Sequence, residues 1–194
     1  MANLPIDVQQ ALKRQAPKAL KQPFSKDIRK KFNQIKKDMI KEFLGLPVTR
    51  ELLQGPGGAN ISGTLDGVSN LFAFIGFDRG DQPILPIIEL LESTSVQFTK
   101  NIKEGNQLGN SFTVSLPTAQ NIFAVTPMPW AMGRSWAQGI ETGISGLGFL
   151  LRKNKGRSGA AIQTRVKVRG GKFRNTSYVS SFIKRYEKRF QELK

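Results

Sequence analysis

Apolar residues recur at spacings of three and four from Ile28 to Phe43. Ile28, Phe32, Ile35, Met39 and Phe43, with Ile40 beside them, fall on one stripe, which is the pattern of an amphipathic helix with one buried face. Lys30, Lys31, Lys36, Lys37 and Lys41 lie mainly off that stripe, and a solvated face is their default reading. Ser25 offers an N-cap, and Gly45 followed by Pro47 a stop. At about 1.5 Å per residue, such a helix is a rod of about 28 Å, long enough to cross a small sheet. Upstream, one short helix over Asp7–Gln15 is expected, closed by Pro17 and Pro23. The second strong stripe is Val179, Phe182, Ile183, Tyr186, Phe190 and Leu193, within a closing helix over Tyr178–Leu193. Lys184, Arg185, Lys188 and Arg189 lie outside that stripe, and Asn175, Thr176 and Ser177 are capping types ahead of it.

Between these helices the period shortens. Asn70–Asp78 (NLFAFIGFD) carries apolar residues on both alternating sets, which predicts a strand covered on both faces or, as the alternative, one with a face at a subunit interface. Thr94–Ile102 and Ser111–Leu116 alternate, with the turn-rich Lys103–Gly109 between them, and predict a hairpin with a long loop. Asn121–Val125 is a further short strand. Pro83 and Pro86 introduce a short helix over Ile84–Glu92. Trp136, Ile140, Ile144 and Leu147 fit a helical face, but Gly139, Gly143, Gly146 and Gly148 weaken a free helix, so either a helix packed closely on another element or an irregular loop crossing is expected there. Ala161–Arg169 alternates strictly, with Ile162, Thr164, Val166 and Val168 against Gln163, Arg165, Lys167 and Arg169; that is a strand with one cationic face. The fold class is therefore α+β. A small, mostly antiparallel twisted sheet is packed by a long N-terminal amphipathic helix and a C-terminal helix, with glycine-rich loops and basic extensions. Residues 1–24 form a basic arm and 25–194 a single domain, which contains the glycine-rich loop 54–67 and the basic linker 152–159.

Charge sorts along the chain. Residues 1–42 carry 11 Lys/Arg against 4 Asp/Glu, residues 43–150 carry 5 against 8, and residues 151–194 carry 14 against 2. A neutral, apolar centre thus sits between two basic ends, a pattern that attracts polyanions or acidic protein surfaces. The chain has no Cys and no His, which excludes disulfides, thiolate zinc sites, cysteine nucleophiles and a Ser-His-Asp triad. Asp66, Asp78, Asp81, Glu89, Glu92 and Glu141 have no spacing that requires convergence, and Asp78 with Asp81 flanks the turn Arg79-Gly80. The glycine-rich loop lacks the Gly-Lys-Ser/Thr ending of a P-loop and the order of a dinucleotide fingerprint. Neither an enzyme nor a cofactor site is expected. The longest apolar stretches, Pro83–Leu91 and Ile140–Leu151, are shorter than a membrane span.

The strongest binding candidate is the cluster Arg152, Lys153, Lys155, Arg157, Arg165, Lys167, Arg169, Lys172 and Arg174, suited to an acidic protein face or to non-specific DNA contact. Self-association is expected through the central region, at Asn60, Ile61, Leu65, Leu71, Phe72 and Phe74, where apolar side chains exceed what one small core covers.

Three stretches carry a family resemblance: Asn60–Gly67 followed by Asn70–Asp78, Trp136–Ile144 (WAQGIETGI), and Asn175–Ile183 (NTSYVSSFI). Over roughly residues 26–194 the order of parts resembles the neck and tail-completion proteins of tailed bacteriophages, the group that includes minor tail protein Z. The resemblance implies a non-enzymatic virion subunit, assembled in the host cytoplasm, that forms a homo-oligomeric ring between head and tail and meets other neck and tail proteins. The alternative, which rests on charge alone, is a basic nucleic-acid-binding protein of ribosomal or nucleoid type.

Overall fold

The computed structural model describes residues 6–65, 70–104, 107–144 and 176–193, with the backbone alone for 6–25, 101–104 and 107–110. The fold is mixed helix and strand, with a long helix at the front and a second at the close. Helix α1 runs Ile6–Gly45, so Pro17 and Pro23 do not cut the arm as expected. Each removes one ladder N–H at a cost of about 3 kcal/mol, but the surrounding Gln, Ala, Leu, Lys and Arg are strong helix formers. The apolar stripe is placed as expected. Ile28, Phe32, Met39 and Phe43 are buried, and Ile35 and Ile40 pack partly buried against the same core.

Helix α2, Pro47–Leu53, starts at once with proline in its first turn. The segment expected to be the central strand is instead a helix, α3, Leu71–Ile75. A short apolar run does not distinguish a buried strand from a buried helix, and the ends decide it. The Asn70 side chain accepts a bond from the Ala73 N–H as N-cap, and Gly76, at φ 92°, closes the helix in the left-handed region. Helix α4, Leu85–Glu92, begins near its expected place. Helix α5, Ala119–Ala124, replaces the short strand expected at Asn121–Val125. Thr118 and Asn121 form a reciprocal capping box around its first turn, which satisfies two otherwise orphaned donors.

The strands form two separate antiparallel ribbons. Strands β1 (Ser95–Glu104) and β2 (Gln107–Ser115) pair from Ser95↔Ser115 to Glu104↔Gln107, with a register shift between Phe98 and Lys100. The hairpin is as expected, but its strands consume most of the predicted loop. Phe98 and Phe112 face each other across it in an edge-on pair at 5.8 Å. Strands β3 (Pro127–Met128) and β4 (Ala131–Ser135) make the second ribbon, which is tied to the end of α3 by the Trp130 indole N–H donating to the Ile75 carbonyl at 2.7 Å. Helix α6, Trp136–Thr142, follows. A Cβ at Gly139 would lie 2.9 Å from Met128 Cε and 3.0 Å from Ile144 Cγ1, so the expected close packing explains this glycine. Leu147 lies outside the described residues, as do Gly146 and Gly148.

Helix α7, Val179–Gln191, closes the fold antiparallel to α1. Phe43 meets Phe182 at 5.6 Å and Tyr178 at 6.1 Å, and Phe32 meets Phe190 at 5.4 Å. Its predicted stripe is buried at Val179, Phe182, Ile183, Tyr186 and Phe190. The chain's two tyrosines both lie in this seam. Burial drives the Tyr178 phenol well above its usual range, with a hydrogen bond to Thr49 pulling the other way. Burial, then the hydrogen bond to Glu42, pushes Tyr186 up to about 12. Folding thus favours both protonated phenols. Their contribution is intact below the unfolded value of about 10 and is lost as pH rises through the folded values. At about pH 10.5 the native chain should show little phenolate absorbance, and phenolate should appear together with unfolding at higher pH. Ionisation near pH 10 in a chain that stays folded would contradict this seam.

Candidate assembly and binding surfaces

The carboxylates divide into internal fasteners and surface groups. Glu51 on α2 is fully buried. Its Oε1 accepts from Asn60 Nδ2 at 2.8 Å and from the Leu71 N–H at 2.8 Å, and its Oε2 accepts from Ser62 Oγ at 2.6 Å and the Ser62 N–H at 3.1 Å. Asn60 Oδ1 in turn accepts from the Leu65 N–H at 3.3 Å, and Ser62 and Thr64 share a hydroxyl bond at 2.8 Å. One carboxylate therefore shapes the glycine-rich loop and helps to cap α3. Buried charge is tolerated when several donors meet it in this way. Residues 60–65 of the loop are thus tied to their own chain.

Glu141 on α6 works similarly at the closing helix. Its Oε1 accepts from the Tyr178 and Ser180 N–H groups at 3.2 and 2.7 Å, and its Oε2 from Ser180 Oγ at 2.6 Å. The N-terminus of α7 is therefore capped by a distant carboxylate; Asn175 lies outside the described residues, and neither Thr176 nor Ser177 is its N-cap. Asp78 and Asp81 bracket the expected turn, with the Asp78 N–H donating to Asp81 Oδ2 at 2.8 Å and Gly80 at φ 106°. Glu89 and Glu92 stand exposed on α4, and Asp66 lies outside the described residues. Among the described residues, no three acidic side chains come together as a metal site.

The expected self-association residues separate into two sets. Leu65, Leu71 and Phe72 are buried in the chain's own core: Leu65 turns in at the end of the glycine-rich loop, and helix α3 turns Leu71 and Phe72 inward where a two-faced strand would have exposed one set. They are not surface, and the surplus of apolar area argued from them disappears. Ile61 is exposed, Phe74 is half-buried, and Asn60 is held by Glu51. Leu53, Leu85 and Met132 are further exposed apolar side chains, and Met132 is completely so at the β4 ribbon. The expected basic cluster, Arg152, Lys153, Lys155, Arg157, Arg165, Lys167, Arg169, Lys172 and Arg174, lies outside the described residues.

The described cations are sorted by partner. Arg185 pairs with Glu42, and Arg189 reaches Asp38 at 3.3 Å and the Tyr186 hydroxyl at 3.1 Å. Lys36 donates to the carbonyls of Glu92 and, at 2.9 Å, Thr94, so it closes the C-terminal end of α4. Lys31 pairs with Asp27 at 3.0 Å. Among the described residues, no helix is long and apolar enough to cross a membrane. Compared with protein-family models, curated proteins and solved structures, the chain matches none.

Proposed function

We propose that the chain is a non-enzymatic structural subunit of a tailed-phage virion, one member of a ring at the neck or tail-completion position between head and tail. The observation that carries the reading is the framing of the fold. A long leading helix and a closing helix lie antiparallel and enclose short helices and antiparallel ribbons, in the order of parts that the sequence resemblance implies. The acidic groups support it as well, since the two best-placed carboxylates are occupied in holding a loop and a helix end. Self-association in this reading uses Leu53 and Ile61, which remain exposed on α2 and on the glycine-rich loop. Other neck and tail proteins would cover the two faces of the ring.

Electron microscopy of the purified chain tests this. Closed rings of uniform subunit number are expected, and Leu53→Lys with Ile61→Lys should disperse them without unfolding the chain, because neither residue is in the core. Only dispersed single chains, at any concentration reached, would contradict the reading. The alternative of a nucleic-acid-binding protein gains support from one surface of α1.

A further inference from the structure

Lys26, Lys30, Lys37 and Lys41 are all exposed on α1. At about 100° per residue they fall within about 60° of the helix circumference, and they span about 22 Å of its length. Asn33, also exposed, completes the same line. The row is diametrically opposed to the buried Ile28, Phe32, Met39 and Phe43, so packing of the helix forces it outward. Every acid of α1 from residue 26 onward lies off this row and is already engaged. Asp27 holds Lys31, Asp38 holds Gln34 and Arg189, and Glu42 holds Arg185 and Tyr186. The four lysines of the row have no ion pair among the described residues. Among the described side chains of α1, from residue 26 onward, none is an exposed large apolar one.

We infer that this lysine row is a sequence-independent binding surface for the phosphate backbone of duplex DNA. A row of compact point charges with flexible stems follows a line of phosphates without fixed geometry. It supplies neither the forked recognition nor the aromatic stacking that reading bases would require. An acidic protein partner fits less well, because protein interfaces centre on apolar or aromatic anchors and this face has none. Duplex DNA carries one charge per about 1.7 Å of axis, so a 22 Å row meets a dense line of partners. The inference is independent of the ring proposal, and its test does not read assembly.

The test is binding of random-sequence duplex DNA to the full chain between about 50 and 200 mM salt, using Lys26, Lys30, Lys37 and Lys41 all changed to Gln. Glutamine keeps helix propensity close to that of lysine, and helical content with melting temperature confirms folding. With four phosphate contacts removed, the slope of log K against log salt should fall by about 3 to 4, and each half-variant, Lys26/Lys30→Gln or Lys37/Lys41→Gln, should lose about half of that. Arg50, Arg79, Lys184 and Lys188, changed together to Gln as a control of equal charge, should leave most of the slope in place. An equal loss from that control, an unchanged slope in the four-lysine variant, or no DNA binding by the unaltered chain at the lowest salt would overturn the inference.

Discussion

Replacing Glu51 with Ala should lower the stability of the chain by about 3–5 kcal/mol, as read by urea or thermal unfolding. The side chain is fully buried and receives Asn60, both donors of Ser62, and the N–H of Leu71. Each donor left unsatisfied in the interior costs about 1–3 kcal/mol, and bonds to a charged acceptor are the stronger kind. Water can reach some of these groups, which keeps the total below the full sum. Glu51→Gln should fall between the two, since its carbonyl oxygen still accepts one donor while its NH2 faces others. Faster proteolysis within residues 54–65 should accompany the loss, because Glu51 is the charged group to which Asn60 and Ser62 are bound. A Glu51→Ala chain within about 0.5 kcal/mol of wild type would mean that the loop is held by something else.

Phe43→Ala should cost a similar amount, about 3–5 kcal/mol, from lost burial together with the cavity left behind. Phe43 is fully buried where α1 meets α7, against Phe182 and Tyr178. The loss should appear together with a lowered Tyr178 titration, since Tyr178 owes its raised value chiefly to burial in the same seam. Phe32→Ala, at the other end against Phe190, should be milder because that site lies nearer the surface. If Phe43→Ala unfolds at the same denaturant concentration as wild type, α1 is not part of the core.

The two framing helices were legible because each repeats its apolar positions over three or more turns, long enough for the 3.6-residue period to stand out. The β1–β2 hairpin was legible from the alternation of Val96 and Phe98 against Phe112 and Val114. Segments α3 and α5 were misread because five or six residues hold no period, and their state is set by caps at Asn70 and Thr118 that a search for apolar patterns passes over. That error carried into the candidate interface: as a helix, the segment folds Leu71 and Phe72 inward, and of the candidate residues Ile61 stands exposed while Asn60 and Phe74 are half-buried. Glu51 and Glu141 were hidden for a different reason. Their donors lie between 9 and 39 residues away in sequence, and only tertiary structure joins them. The one local sign was the alternating polar series Asn60, Ser62 and Thr64, nine to thirteen residues after a glutamate in an apolar helix. Of the lysine row, Lys30, Lys37 and Lys41 were visible as charges off the stripe, and Lys26, at the start of the apolar period, was not. What the sequence could not separate was Lys31 and Lys36, which have partners, from Lys26, Lys30, Lys37 and Lys41.

The claim that most of this account depends on is that the chain functions as one member of a ring. Light-scattering mass of the purified chain, followed from about one to one hundred micromolar, addresses it most directly. A single defined mass, several times that of one chain and lost in the Leu53→Lys, Ile61→Lys variant, is the predicted result. A mass equal to one chain across the whole range, unchanged by that variant, would contradict it.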